Sequence, residues 1–199
     1  VIRDAGAIPS FKGYHGFPHS ICASVNASIV HGFPDDTPLA EGDIISIDVG
    51  ARLDGYYGDG AFTVGVGAIS AQAQRLLAGT LACLDLGIAQ AQPDGRLSDI
   101  SNAIQNHADA QGLGIIREYG GHGIGRSLHE SPHINNYGPP GKGPRLKPGH
   151  VFCIEPILCL GDPQVDHLDD GWTTLTRDRS LAAHSEHTIA ITEDGPQIL

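Results

Sequence analysis

The sequence contains no methionine, a single tryptophan and few aromatics, which make up 6% of its 199 residues. Translation starts on methionine, so residues 1–199 are expected to be a processed or truncated piece. Positive charge is scarce as well: 12 Lys and Arg face 23 Asp and Glu, a formal net charge of −11. That balance argues against a partner held through phosphate contacts, so direct nucleic-acid binding is not expected. The longest hydrophobic run, Val151 to Leu160, is interrupted by Glu155 and Pro156 and has about half the ~20 residues that a membrane span needs. Cysteines at 22, 83, 153 and 159 form neither a Cys-x-x-Cys knuckle nor a disulfide framework, and no charged-then-apolar leader follows Val1. These features suit a soluble protein of the reducing cytoplasm with no membrane partner.

What the chain has is 40% apolar residues, enough for one buried core, together with 27 Gly and 13 Pro spread along its length. That pattern predicts an α+β domain of short, mainly antiparallel strands with helices on one sheet face. Ile21 to Val30 suits a strand turned at Pro34-Asp35-Asp36, and Asp43 to Val49 and Tyr56 to Val66 flank Asp54-Gly55 as a two-residue hairpin. Ser70 caps a helix with Leu77, Leu81, Leu84 and Ile88 on one face. Ser98 caps a second with Ile100, Ile104, His107 and Gln111, ended by Gly112. Strands are expected again over Val151 to Ile157, Trp172 to Thr176 and His184 to Thr192.

Asp48 stands inside an apolar strand, where a carboxylate is costly unless paired or bound to metal. With Asp54-Gly55 as the loop, Gly50 pairs with Asp59 and Asp48 with Ala61, so the two aspartates share a face as diagonal neighbours, about 7–8 Å apart at Cβ. Either Asp alone reads as a solvated turn residue; the pair, with no nearby Lys or Arg, reads as a seat for a divalent cation. Glu155 and Glu186 repeat the anomaly on expected strands. His122 lies in a Gly-rich loop whose small residues would leave the imidazole accessible. Four carboxylates and one imidazole suit a two-metal site for hard or borderline ions better than a thiolate zinc site. His129-Glu130-Ser131-Pro132-His133 matches H-E-x-x-H, but Pro132 breaks the helix that zinc motif requires.

Tyr14-His15-Gly16-Phe17-Pro18, His31-Gly32-Phe33-Pro34-Asp35-Asp36, Gly121-His122-Gly123-Ile124-Gly125-Arg126, Leu146-Lys147-Pro148-Gly149, Ile154-Glu155-Pro156 and Glu186-His187-Thr188 resemble the type I methionine aminopeptidases in order and spacing over essentially the whole chain. The run Asp48, Asp59, His122, Glu155, Glu186 is more specific than any single motif. The resemblance implies the pita-bread fold, with pseudo-twofold halves around a dinuclear centre, and residues 1–199 as one catalytic domain lacking the family's N-terminal helical segment. Gly60 departs from the family's usual Thr and is expected to soften the hairpin beside a ligand.

The resemblance further implies removal of the initiator methionine from nascent polypeptides and short peptides by a metal-activated hydroxide. Two divalent ions, of Co, Mn, Fe, Zn or Ni, would be held by Asp48, Asp59, His122, Glu155 and Glu186, with Asp59 and Glu186 bridging. Glu155 would shuttle protons, His129 would donate to the substrate carbonyl and His31 would contact the scissile amide. Tyr14, Phe17, Cys22, Leu128 and Trp172 would line the methionine pocket, although each taken alone could be a core residue. A monomer working near the ribosome is the expected setting. Two other readings share this fold: an Xaa-Pro aminopeptidase or prolidase-like enzyme, separable by comparing Met-Ala-Ser with Ala-Pro-Ala hydrolysis, and a non-enzymatic binding module, separable by metal analysis.

Overall fold

A computed structural model describes all 199 residues. In chain order the elements are β1 (Ile8–Pro9), β2 (Cys22–Val25), β3 (Ser28–Val30), β4 (Ile44–Leu53), β5 (Tyr56–Gly65), α1 (Ala71–Gln90), α2 (Leu97–Ala110), β6 (Gly114–Ile115), β7 (Gly121–Gly123) and β8 (Glu130–Ile134). They continue as β9 (Val151–Ile154), β10 (Ile157–Cys159), β11 (Val165–His167), β12 (Thr174–Thr176), β13 (Ala182–His184), β14 (Glu186–Thr192) and β15 (Gly195–Ile198). Nine strands form one sheet in the order β1-β4-β5-β14-β9-β7-β8, with β2 added on β4 and β15 on β14. Two three-stranded sheets, β13-β10-β6 and β11-β12-β3, complete the α+β architecture.

The β4–β5 hairpin has the expected register, Leu53 opposite Tyr56, Gly50 opposite Asp59 and Asp48 opposite Ala61. Asp54 (φ 50°) and Gly55 (φ 86°) both adopt the left-handed conformation that a two-residue turn between right-twisted strands requires. Gly60 does not interrupt this ladder; it pairs with Val49, and the hairpin runs on to Gly65. The expected Ile21–Val30 strand is broken in two, because Asn26 (φ 53°) turns the chain and its side chain donates to Asp43 and accepts from the Ile44 N–H.

Both helices pack on one face of the large sheet, where Leu76, Cys83, Leu84, Ile100 and Ile104 meet Phe152, Ile154 and Ile189. Ser70 Oγ accepts from the Ala73 N–H and caps α1 as expected. Of the expected leucine stripe, Leu84 is in the core and Leu77 and Ile88 flank it, but Leu81 is 52% exposed, and the face centres on Ala73, Leu76, Gly79, Cys83 and Gly87. Small residues win this face because a Cβ at Gly87 would sit 3.1 Å from Ile104 and 3.2 Å from Ile154. The start of α2 is held by Asp99, whose carboxylate accepts from the Arg96 N–H at 2.9 Å, while Ser98 Oγ accepts from the Lys142 N–H. Gly112, at φ 61°, follows the end of α2.

Candidate metal centre

Four adjacent strands build the site from one row of the sheet. Cys22 of β2 pairs with Asp48 of β4, Asp48 with Ala61 of β5, and Ala61 with Glu186 of β14. Directly paired residues point to the same face. The small Ala61 therefore leaves Asp48 and Glu186 facing one space, which Asp59 enters from two residues along β5. Carboxylate oxygens of Asp48, Asp59 and Glu186 lie within 4.8 Å of one another. The β5–β14 ladder covers only Gly60 and Ala61, and Thr188 anchors the next residue: its hydroxyl accepts from the Asp59 N–H at 2.9 Å and donates to the Asp59 carbonyl at 2.7 Å.

His122 arrives on β7, a strand where a Gly-rich loop is expected. Its flanking glycines serve strand packing more than ligand access. A Cβ on Gly121 would overlap the Cys153 carbonyl oxygen, and one on Gly123 would lie 2.5 Å from the Ser131 carbonyl oxygen. His122 Nδ1 lies 3.0 Å from the Gly123 carbonyl, which can only accept, so Nδ1 carries the proton and Nε2 presents its lone pair to Glu155 Oε1, 3.8 Å away. Glu155 is not inside a strand as expected. Pro156 offers no N–H to the ladder, so β9 stops at Ile154 and the Glu155 carboxyl turns into the site beside His122 and His184.

Every proposed ligand and pocket residue lines one cavity of about 650 Å³. Its polar lining includes Asp48, Asp59, His122, Glu155 and Glu186, its apolar lining Tyr14, Phe17, Cys22, Leu128 and Trp172, and His31 and His129 line it as well. Phe17 stacks edge-to-face on Trp172 at 5.0 Å and on Phe33 at 5.5 Å, and joins Cys22 and Leu128 in a buried cluster. His129 Nδ1 is 2.8 Å from the Tyr14 hydroxyl. His129 lies in the bend before β8 and Glu130 to His133 within that strand, so the H-E-x-x-H segment has no helical i, i+4 face; Glu130 accepts from the Ser127 N–H, and His133, the cross-strand partner of His122, also lines the cavity.

Burial raises all four carboxyl groups, Asp48 and Glu186 well above the usual range and Asp59 and Glu155 to about 7, and the charges of neighbouring carboxylates add to the rise at Asp48, Asp59 and Glu186. Burial also lowers His31, His129 and His184 to about 4, which keeps them neutral. The protein alone does not satisfy this cluster: Asp48 Oδ1 and Glu186 Oε1 are buried without a hydrogen-bond partner. Oxygen-rich donors with one presented imidazole fit hard or borderline divalent ions. Two neighbours escaped the sequence reading. Cys153 Sγ clusters with His122 and Glu186 within 4.8 Å but already has Thr188 Oγ1 at 3.5 Å, and His184, 2% exposed, faces both Glu155 and Glu186.

A model of the family described as Metallopeptidase family M24 matches residues 2–193. Methionine aminopeptidase 1 of Bacillus subtilis is 54% identical over 198 residues, covering 100% of this chain and 80% of that protein. The crystal structure of methionine aminopeptidase from Rickettsia prowazekii superimposes with a TM-score of 0.97 at 44% identity, over 99% of this chain and 80% of that one. The prolidase from Pyrococcus horikoshii OT3 has the same fold, with a TM-score of 0.69 at 22% identity over 89% of this chain and 46% of that one. These likenesses bear out the pita-bread expectation.

Proposed function

This chain belongs to metallopeptidase family M24 as a metal-dependent hydrolase that removes N-terminal methionine, and we propose that Asp48, Asp59, His122, Glu155 and Glu186 would hold two divalent ions. The observation that carries the assignment is the pair of buried, unpartnered oxygens on Asp48 and Glu186, one on each side of Ala61, in a cluster of like charges. Four ligand carboxylates account for four of the eleven net negative charges, so two ions bring −11 to −7. Co, Mn, Fe, Zn and Ni all suit these donors.

Bound ions supply an activated water and a polarised scissile carbonyl at neutral pH. The chain's own groups orient the substrate and move protons around that chemistry. Glu155, at the break after β9, would accept a proton at its carboxylate and hand it to the leaving amine. With Tyr14 donating to Nδ1 of a neutral His129, the ring's Nε2–H is free to donate to the substrate carbonyl and to the oxyanion that develops there. A neutral His31 accepts from the scissile amide N–H.

Specificity follows from the row that starts at Cys22. Because Cys22 is paired with Asp48, the apolar cluster of Phe17, Cys22 and Leu128, edged by Trp172, begins where the carboxylates end. A linear thioether fills such a slot and its sulfur gains contact with aromatic rings. The substrates are N-termini of nascent chains and short peptides, met by a monomeric single domain in the cytoplasm near the ribosome. No helix is long and apolar enough to cross a membrane. Metal-stripped protein reconstituted in turn with Mn, Fe, Co or Zn should hydrolyse Met-Ala-Ser and leave Ala-Pro-Ala intact; the reverse preference would restore the Xaa-Pro reading.

A further inference from the structure

His184 has no place in the ligand set above, yet its surroundings are those of a ligand. It ends β13, one residue before the Ser185 break into β14, and its backbone is gripped on both sides by one hydroxyl. The His184 N–H donates to Thr63 Oγ1 at 2.9 Å, and Thr63 Oγ1 donates to the His184 carbonyl at 2.8 Å. The ring enters the cavity that holds the carboxylates and is 2% exposed. Its Nε2 is buried with no hydrogen-bond partner, the one nitrogen among the buried unpartnered atoms, alongside Asp48 Oδ1 and Glu186 Oε1 of the same cavity.

A core histidine is ordinarily hydrogen-bonded, because a buried unpaired ring nitrogen costs free energy. Here Nε2 stands 3.6 Å from Glu155 Oε2 and 3.8 Å from Glu186 Oε2. Both separations are too long for hydrogen bonds. Both fall within the span open to two donors of one ion, which at about 2.0–2.2 Å from the metal lie at most about 4.4 Å apart. His122 Nε2 bears the same relation to the other oxygen of Glu155, at 3.8 Å. Glu155 is thus flanked by an imidazole at each carboxylate oxygen.

We propose that His184 supplies Nε2 as a second imidazole ligand beside His122, for an ion that Glu155 helps to hold. The inference rests on the ligand assignment of the preceding subsection and extends it. A centre with two imidazoles shifts toward borderline ions, favouring Co(II) over Mn(II) more strongly than one imidazole among carboxylates does.

The test uses the full chain loaded with Co(II). Two strongly shifted, solvent-exchangeable imidazole N–H signals are expected in the paramagnetic proton spectrum, one of which disappears in His184→Gln. Titration of the metal-free proteins should show the tighter Co(II) site of His184→Gln weakened about 10–100-fold, with Mn(II) weakened less. A single exchangeable imidazole signal in the unmodified protein would overturn the proposal, and that count stands even if the variant does not fold. Unchanged Co(II) affinity in a folded His184→Gln would overturn it too, leaving the ring to position Glu155 and Glu186. Asp48→Asn separates the two levels: if it binds both ions as the unmodified protein does, the underlying ligand assignment fails, whatever His184 does.

Discussion

Removing the metal should make this protein less stable as pH rises through neutrality. In the folded metal-free chain burial keeps the Asp48 and Glu186 carboxyls well above the carboxylate range and Asp59 and Glu155 at about 7. Unfolded, these groups ionise near pH 4, so above that pH the folded state binds more protons and its stability falls with rising pH. The buried imidazoles oppose this at lower pH. Held at about 4 in the fold, His31, His129 and His184 contribute stability that is fully present above the unfolded value near 6.5 and is lost below it. The four buried free cysteines, all pushed up by burial, ionise in the unfolded chain only near pH 8.5, so the window from about pH 6.5 to 7.5 isolates the carboxyl groups. Each group protonated only in the folded state gives a slope of about 1.4 kcal/mol per pH unit. Asp48 and Glu186 share one space and act as between one and two such groups, so the loss across this one-unit window should be about 1.4–3 kcal/mol. Urea unfolding in chelator, followed by fluorescence of the sole tryptophan, Trp172, measures it. Saturating divalent metal, which binds the ionised carboxylates, should abolish or reverse the slope. A flat or rising stability in the metal-free protein, or an equal fall in an Asp48→Asn/Glu186→Gln double variant, refutes the reasoning.

Three further outcomes are expected. His129→Ala should lower kcat by about 10²–10³ with metal content intact, as for loss of one donor to an oxyanion; loss of metal in that variant would make His129 a ligand. His133→Ala and Glu130→Gln should retain metal and change kcat/KM by less than about tenfold, since β8 has no helical face to bring the two imidazoles to one ion. Gly121→Ala should destabilise the fold by more than about 1–3 kcal/mol in urea unfolding, because its Cβ meets the backbone carbonyl of Cys153 and not a side chain that can swing away; a variant as stable as the parent would show that β7 and β9 are not packed that tightly.

Much of the site is legible in the sequence because local turn chemistry sets it. Asp54-Gly55 dictates the hairpin register, and the register alone puts Asp48 and Asp59 on one face. Features set by long-range packing are less visible. The inward face of α1 centres where Ile104 and Ile154 press on Gly87, so hydrophobic spacing finds Leu84 and the flanking Leu77 and Ile88 but includes Leu81, which turns outward, and misses the small residues. Glu155 reads as a strand residue because its neighbours are β-branched and apolar, and only the missing N–H of Pro156 hints at the break that frees its carboxyl. His184 is hidden for a related reason. It looks like the start of the strand that carries Glu186, whereas it closes β13, paired with Ile157, and faces the carboxylates across the Ser185 break. A buried-strand histidine two residues from a ligand Glu was the available signal.

The central claim, that one row of the sheet holds the metal on which peptide hydrolysis depends, is tested most directly by metal content and turnover measured together in Asp48→Asn and Glu186→Gln. Each removes a charge from a cluster whose unpartnered oxygens face a common space. Folded variants that bind fewer ions after reconstitution and do not release methionine from Met-Ala-Ser are the result the account predicts; full metal content with retained turnover in either one would contradict it.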